Sequence, residues 1–167
     1  MSGRAWIFGD DVDTDAIAPG AWMQGGIEAL SRHCLEALDP AFARDAKPGD
    51  VLVAGHNFGC GSSREQAAQA LKHLGLAAVL ARSFAGLFYR NAVNLGLPVL
   101  ECDDLARVPA GAPVELDLEN GALHLLASGE TLRCTPMPPF LLDIVRSGGL
   151  LNQLERRLTA ARERKPA

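Results

Sequence analysis

One stretch limits the folds open to this chain: residues 51–73, VLVAGHNFGCGSSREQAAQALKH. Four apolar residues stop at Gly55, and a glycine-rich turn runs through Asn57, Phe58, Gly59, Cys60 and Gly61. Ser62-Ser63-Arg64-Glu65 follows, and the pattern then turns helical to about Leu74. Strand, tight turn and helix in that order make half of a crossover between parallel strands. A helix start has backbone N–H groups with no intrahelical partner and a partial positive charge from the macrodipole. Glycines ahead of it let a ligand approach the backbone closely. Ser62 and Ser63 add short hydroxyls, and Arg64 adds a fork suited to a carboxylate or phosphate. A serine in such surroundings can act as a base, because N–H donors and a cation stabilise its alkoxide.

A plainer reading stands beside that one. Ser62-x-x-Glu65 is a capping box, and Ser63-x-x-Gln66 offers a second register for it. Three other nucleotide or nucleophile motifs are excluded. No Gly-Lys-Ser/Thr ends a P-loop, Gly-x-Ser-x-Gly is absent, and Arg64 stands where a dinucleotide fingerprint needs its third glycine.

The surrounding chain supplies more of the same architecture. Residues 4–8 read as a first strand, 77–81 as a buried strand and 97–102 as another. Ser83 is placed to cap a helix from residue 84 to 95, closed by Gly96, and Gly75 to close the preceding one. Two strand–helix–strand units in sequence predict a parallel core of three strands. Residues 27–38 have helical apolar spacing up to Asp39-Pro40, and 42–48 form a polar connector with room for one helical turn. From residue 112 the period changes to two. Val114 to Leu118 alternates, Asn120-Gly121 turns, 123–126 returns, Ser128-Gly129-Glu130 turns again, and 131–134 makes a third strand. This is an antiparallel meander. Pro136, Pro138 and Pro139 interrupt it, a short helix spans 140–146, and a polar amphipathic helix spans about 150–164 at the periphery. The fold class is therefore α/β, one domain over residues 1–167, with a parallel unit and an added meander.

Net charge of -4 excludes a nucleic-acid footprint, and the basic residues after Glu155 alternate with acids as on a solvated helix face. No apolar run approaches the roughly 20 residues that span a bilayer. Residues 1–4 lead straight into a strand with no leader pattern, so the expected location is cytoplasmic. The cysteines Cys34, Cys60, Cys102 and Cys134 are scattered without C-x-x-C, so neither a zinc nor an iron–sulfur ligand set is expected on this chain. Cys60 is set apart by its place in the glycine turn. The four histidines are equally scattered.

Two segments before the central strand also concern function. Residues 9–15, GDDVDTD, hold four carboxylates, which suits either a hard cation or a turn with side-chain-to-backbone hydrogen bonds. Residues 16–26, AIAPGAWMQGG, read as a loop with little intrinsic helix, carrying Trp22 and Met23.

NFGCGSSREQAAQAL, followed by AAVLARSFAGLFYRNAVNLGLPVLEC, resembles the swivel domain of the aconitase superfamily. The closer likeness is to its separate small subunits in the 3-isopropylmalate dehydratase and homoaconitase-like branch. The likeness runs from about Gly9 to Cys102, and more loosely to Gly149. It implies a layered β/β/α swivel fold and a hydro-lyase subunit. The implied chemistry isomerises a 2-hydroxy di- or tricarboxylate by removing water and adding it back one carbon away, with 2- and 3-isopropylmalate of leucine biosynthesis as the leading pair. It implies Ser62 as the base toward the proton α to a carboxylate. Ser63 and Arg64 would hold a substrate carboxylate, Thr14 would count among the substrate-binding residues and support the turn, and Asp15 would position a histidine of the partner. It implies a 4Fe–4S cluster on a separate large subunit, since no ligand set exists here. Trp22, Met23 and Gln24 fall on the family's specificity loop, where relatives carry a Tyr-Leu-Arg-Thr-like run. Gln24 then replaces an arginine, a contact that Arg32 could supply. Gly86 replaces another family arginine. Those departures leave homoaconitate and dimethylmalate open as substrates. A homo-oligomer of the isolated chain is also left open. On the residues alone, a non-catalytic anion-binding module and a purely structural protein remain competing readings.

Overall fold

A computed structural model describes residues 1–163. Seven strands form one sheet. They are β1 (Ser2–Ile7), β2 (Val51–Ala54), β3 (Ala78–Ala81), β4 (Val99–Glu101), β5 (Pro113–Asp117), β6 (Ala122–Leu125) and β7 (Glu130–Arg133), in the order β4-β3-β2-β1-β5-β6-β7. The first four are parallel, one more than the sequence reading counted, because β1 joins β2. β1 does two jobs along its length. Ala5, Trp6 and Ile7 pair in parallel with β2, whereas Ser2, Gly3 and Arg4 pair antiparallel with β5. One short strand thus joins the parallel half to the meander. Strands β2 and β3 are buried at every residue, as strands covered on both faces must be. β5 alternates exposed and buried positions, the mark of a half-covered antiparallel strand. The sheet curls until its edges meet, with Thr135 N–H donating to the Glu101 carbonyl at 2.7 Å.

The helices are α1 (Thr14–Ile17), α2 (Gly26–Arg32), α3 (Phe42–Asp45), α4 (Glu65–His73), α5 (Gly86–Leu95), α6 (Pro139–Arg146) and α7 (Leu150–Glu163). α4 packs between α2 and α5, and α6 and α7 lean on α5. Among the described residues no helix is long and apolar enough to cross a membrane. In α7, Gln153 is buried while Leu151, Leu154 and Leu158 are exposed. Arg164 and Lys165, part of the basic run read from the sequence, lie outside the described residues.

Several boundaries differ from the sequence reading. The helix expected over 27–38 stops at Arg32, because Leu35 adopts a left-handed backbone (φ 59°) that no helix continues through. The loop at 16–26 contains a 3-10 helix, Gly20–Gly25. Neither expected serine cap forms. α4 begins after Arg64 and α5 after Ala85, both without side-chain caps. Gly75 and Gly96 do close α4 and α5 with φ of 79° each.

The end of the sheet opposite the strands' carboxyl termini is tied by Asp50. This buried carboxylate accepts Arg4 N–H at 2.8 Å, Trp6 Nε1–H at 2.9 Å and Lys47 N–H at 3.0 Å. Burial pushes its pKa up, but the three donors and the Arg4 charge outweigh that and leave it below the usual aspartate value. A depressed folded pKa contributes stability that is complete above the unfolded pKa and is lost as pH falls through the folded one. Asp50→Asn is therefore expected to lower unfolding free energy by about 2 kcal/mol at neutral pH. Its deficit relative to the natural chain should shrink below about pH 4, as measured by urea denaturation across a pH series.

Candidate active site

The carboxyl ends of β1, β2 and β3 run on into three loops whose backbones hydrogen-bond to one another. Asp11 N–H donates to the His56 carbonyl at 2.8 Å, Gly59 N–H to Val12 at 2.7 Å and Thr14 N–H to Cys60 at 2.8 Å. On the other side Phe58 N–H donates to Ser83 and Ala85 N–H to Phe58. Side chains add three ties. Asp10 accepts His56 N–H, Asn57 Nδ2–H donates to Asp11, and Ser83 Oγ accepts Asn57 N–H. Ser83 thus serves the loop and not the helix it was expected to cap.

Beneath the glycine turn, Phe58 packs edge-on against Phe88 at 5.1 Å between centroids, and Phe84 lies parallel to Phe88. Gly59 (φ 79°) presses onto this cluster, and a Cβ there would sit 2.2 Å from the Phe88 ring. That explains the glycine in physical terms: both its backbone angle and its clearance exclude a side chain.

This lattice carries Cys60-Gly61-Ser62-Ser63-Arg64 across the top of α1. Asp13 starts α1 by accepting Ala16 N–H at 2.7 Å, so the acidic run is a helix start and a loop brace. Thr14 is buried, and its hydroxyl lies 2.9 Å from Ser62 Oγ while accepting Ser62 N–H at 3.1 Å. Ser62 itself is exposed. Arg64 lays its guanidinium over α1. Nη1 meets Asp15 Oδ1 at 2.5 Å and the Ala18 carbonyl at 3.0 Å. The Asp15 side chain stays 74% exposed, against 21% for Arg64. Ser63 is exposed, and its carbonyl accepts Asn91 Nδ2–H at 3.2 Å.

Thr14 with Ser62 and Asp15 with Arg64, pairs 48 and 49 residues apart in sequence, are therefore brought together. They stand on an open rim. The concavities along α7, beside the meander and over the β1–β2 strand ends are not lined by these four residues.

Trp22, Met23 and Gln24 are held differently. The Trp22 indole stacks on the His33 imidazole at 3.6 Å with planes 3° apart, and its Nε1–H donates to Glu36 at 3.2 Å. Glu36 also bonds His33 Nδ1 at 2.6 Å. Met23 packs against the core, and Gln24 is exposed. Arg32 commits its guanidinium to Glu28 on its own helix. The His33–Glu36 clamp was invisible in the sequence, because it depends on the left-handed turn at Leu35 that follows α2.

The chain matches the aconitase C-terminal domain over residues 27–104. It is 46% identical over 158 residues to the 3-isopropylmalate dehydratase small subunit 1 of Thermotoga maritima, covering 93% of this chain and 95% of that one. A solved 3-isopropylmalate dehydratase chain from Methanocaldococcus jannaschii superposes with a TM-score of 0.93 at 42% identity over 98% of both chains. The chain belongs to the 3-isopropylmalate dehydratase small-subunit family. A homoaconitase small subunit from Methanothermobacter thermautotrophicus is 48% identical over 91% of this chain and 89% of its own length. Similar identity to relatives named for two substrates means that overall likeness does not separate those substrates.

The iron–sulfur chemistry of the superfamily can be tested against the donors present. Among the described residues, no three His, Cys, Asp or Glu side chains stand together as a metal site. Cys34 is fully buried, with its thiol pKa pushed up by burial, and Cys102 and Cys134 are buried elsewhere. Cys60 lies near the site, but burial and the Asp11 and Asp13 charges raise its pKa, which disfavours the thiolate that iron needs. The donors on this chain do not fit a cluster.

The turn is the sensitive part of this framework. Gly59→Ala is expected to destabilise the fold by about 2–4 kcal/mol through left-handed strain and the Phe88 collision. Chemical denaturation measures that loss, and a neutral result would mean that the turn does not need its glycine.

Proposed function

We propose that this chain is the small subunit of a 3-isopropylmalate dehydratase and supplies one half of its active site. The enzyme interconverts 2- and 3-isopropylmalate by dehydration and rehydration, a step of leucine biosynthesis. The observation that carries the reading is the open half-site: an exposed Ser62 hydroxyl held by buried Thr14, beside the Arg64–Asp15 pair. A site that stands on a rim, with no cluster donors of its own, needs a second surface to exclude water. A large subunit carrying the 4Fe–4S cluster supplies that surface, and the cluster's chemistry is to activate the substrate hydroxyl as a leaving group.

The residues of this chain then have distinct tasks. Ser62 Oγ exchanges the proton on the carbon α to a carboxylate. That proton is weakly acidic, so the serine must be available as an alkoxide. An ionised serine has no proton to donate, so in that state the 2.9 Å contact runs from the Thr14 hydroxyl to Ser62 Oγ. Thr14 Oγ1 accepts Ser62 N–H at 3.1 Å and still has its own proton available for Ser62 Oγ. Thr14 is buried, so it serves Ser62 and does not meet the substrate. Ser63 and Arg64 receive a substrate carboxylate. The contacts of Arg64 among the described residues run through Nη1, which leaves Nη2 and Nε to receive a carboxylate. The exposed face of Asp15 orients an imidazole of the large subunit. Trp22, Met23 and Gln24 select the group at the far end of the substrate.

Mixing with a cluster-bearing large subunit is expected to be required for turnover, and full activity of the isolated chain would defeat the proposal. In the reconstituted pair, Ser62→Ala should lower kcat on isopropylmalate by about 100- to 10,000-fold while substrate still binds. A change of only a few-fold would return the site to the status of an anion-binding module. Running the same pair on homoaconitate and dimethylmalate decides the substrate.

Thr14→Val removes the hydroxyl and keeps the shape. Its expected effect is a drop in kcat of roughly tenfold or more with KM little changed, restored by Thr14→Ser. Equal losses in Val and Ser variants would assign Thr14 to folding alone.

A further inference from the structure

Two buried thiols lie where the sheet closes on itself. Cys102 follows β4 and Cys134 follows β7, the two opposite edges of the seven-stranded sheet. The edges are joined beside them by Thr135 N–H to the Glu101 carbonyl at 2.7 Å. Cys102 Sγ–H donates to the Arg133 carbonyl at 3.3 Å, and that carbonyl immediately precedes Cys134. The residues are 3% and 6% exposed. Each thiol shifts the other's titration. A hydrogen bond from Cys134 holds the Cys102 pKa below its ordinary value, and the same bond together with burial pushes Cys134 up. Cys34, in contrast, sits alone in the core as a small apolar residue would. Nothing in the catalytic reading uses the pair at the seam.

We propose that Cys102 and Cys134 form an oxidisable dithiol that closes to a disulfide on exposure to a peroxide and staples the two sheet edges together. The seam opens locally to admit the oxidant, since both thiols are otherwise buried. The Cys102 thiolate attacks one peroxide oxygen. The O–O bond breaks, hydroxide leaves, and Cys102 becomes a sulfenic acid. Cys134 sulfur then attacks the Cys102 sulfur. The S–S bond forms, and the sulfenic hydroxyl leaves as water with the Cys134 proton. In all, two thiols and one hydrogen peroxide give one disulfide and two waters, and a dithiol reductant reverses the oxidation. The staple encloses the whole meander within one covalent loop. It lies at the end of the sheet that carries the candidate site, where Arg82 Nε–H donates to the Asp103 carbonyl at 3.2 Å. The proposal does not depend on the catalytic reading.

The test uses the full chain treated with hydrogen peroxide, alkylated under denaturing conditions, digested and mapped by mass spectrometry. The expected product joins the Cys102 and Cys134 peptides, is about 2 Da lighter than their sum, and separates on adding dithiothreitol. The apparent Tm should rise on the order of 5 °C on oxidation and return on reduction. Half-buried Cys60, the most accessible of the four thiols, serves as the internal reference for oxidant dose. The proposal is overturned if Cys60 oxidises while Cys102 and Cys134 both remain open to alkylation. It is equally overturned if Cys102 proceeds to a sulfinic acid unlinked, or links to another cysteine. Mapping the natural chain settles the matter without relying on the folding of variants. Cys102→Ser and Cys134→Ser should each abolish the linked peptide and the Tm shift.

Discussion

Backbone hydrogen bonding between loops is the constraint on which the rest of this structure depends. Parallel strands end at different heights, and the segments beyond them would leave donors and acceptors unpaired close to the core. Here the three loops pair with each other. Val12, Cys60 and His56 carbonyls receive the neighbouring loop's N–H groups, and Phe58 bridges to Ser83 and Ala85. The ladder of the sheet thus continues past the strands, with isolated bridges at Asp13–Cys60 and Phe58–Phe84. The Ser62 hydroxyl carried on this lattice is positioned by many bonds and by a rigid sheet, as the catalytic role proposed for it requires.

The same lattice explains why the residues of the candidate site are oriented as they are. Arg64 could not reach Asp15 and the Ala18 carbonyl unless α1 and the start of α4 lay side by side. That proximity follows from Thr14 N–H bonding the Cys60 carbonyl. The aromatic cluster of Phe58, Phe84 and Phe88 fills the space beneath, so the turn cannot sink into the core. What remains on top is polar and open, the condition of a surface that awaits another. The clamp of Trp22 on His33 and Glu36 keeps the neighbouring loop ordered at that rim.

The sequence conveyed the alternation of strand and helix well, because apolar periodicity follows directly from burial. The buried runs at Val51–Ala54 and Ala78–Ala81 and the alternating β5 were all legible. Local capping signals were less faithful. Ser62, Ser63 and Ser83 have the composition of helix caps, yet their hydroxyls or backbones serve α1, α5 and a neighbouring loop, a tertiary demand that outweighed a contribution of about 1 kcal/mol. The early stop of α2 at Arg32 had no signal at all, since leucine at φ 59° is a conformation imposed by packing.

The sequence by itself determined the class of fold, the glycine turn and the identity of the residues proposed to carry chemistry. These depend on side-chain type and short-range spacing. Only the tertiary structure decided that Thr14 faces Ser62, that Asp15 meets Arg64, and that the two sheet edges bring Cys102 beside Cys134. Such contacts join segments distant in the chain, and their geometry comes from how the sheet curls and which loops satisfy each other's backbone groups. No local pattern encodes that geometry.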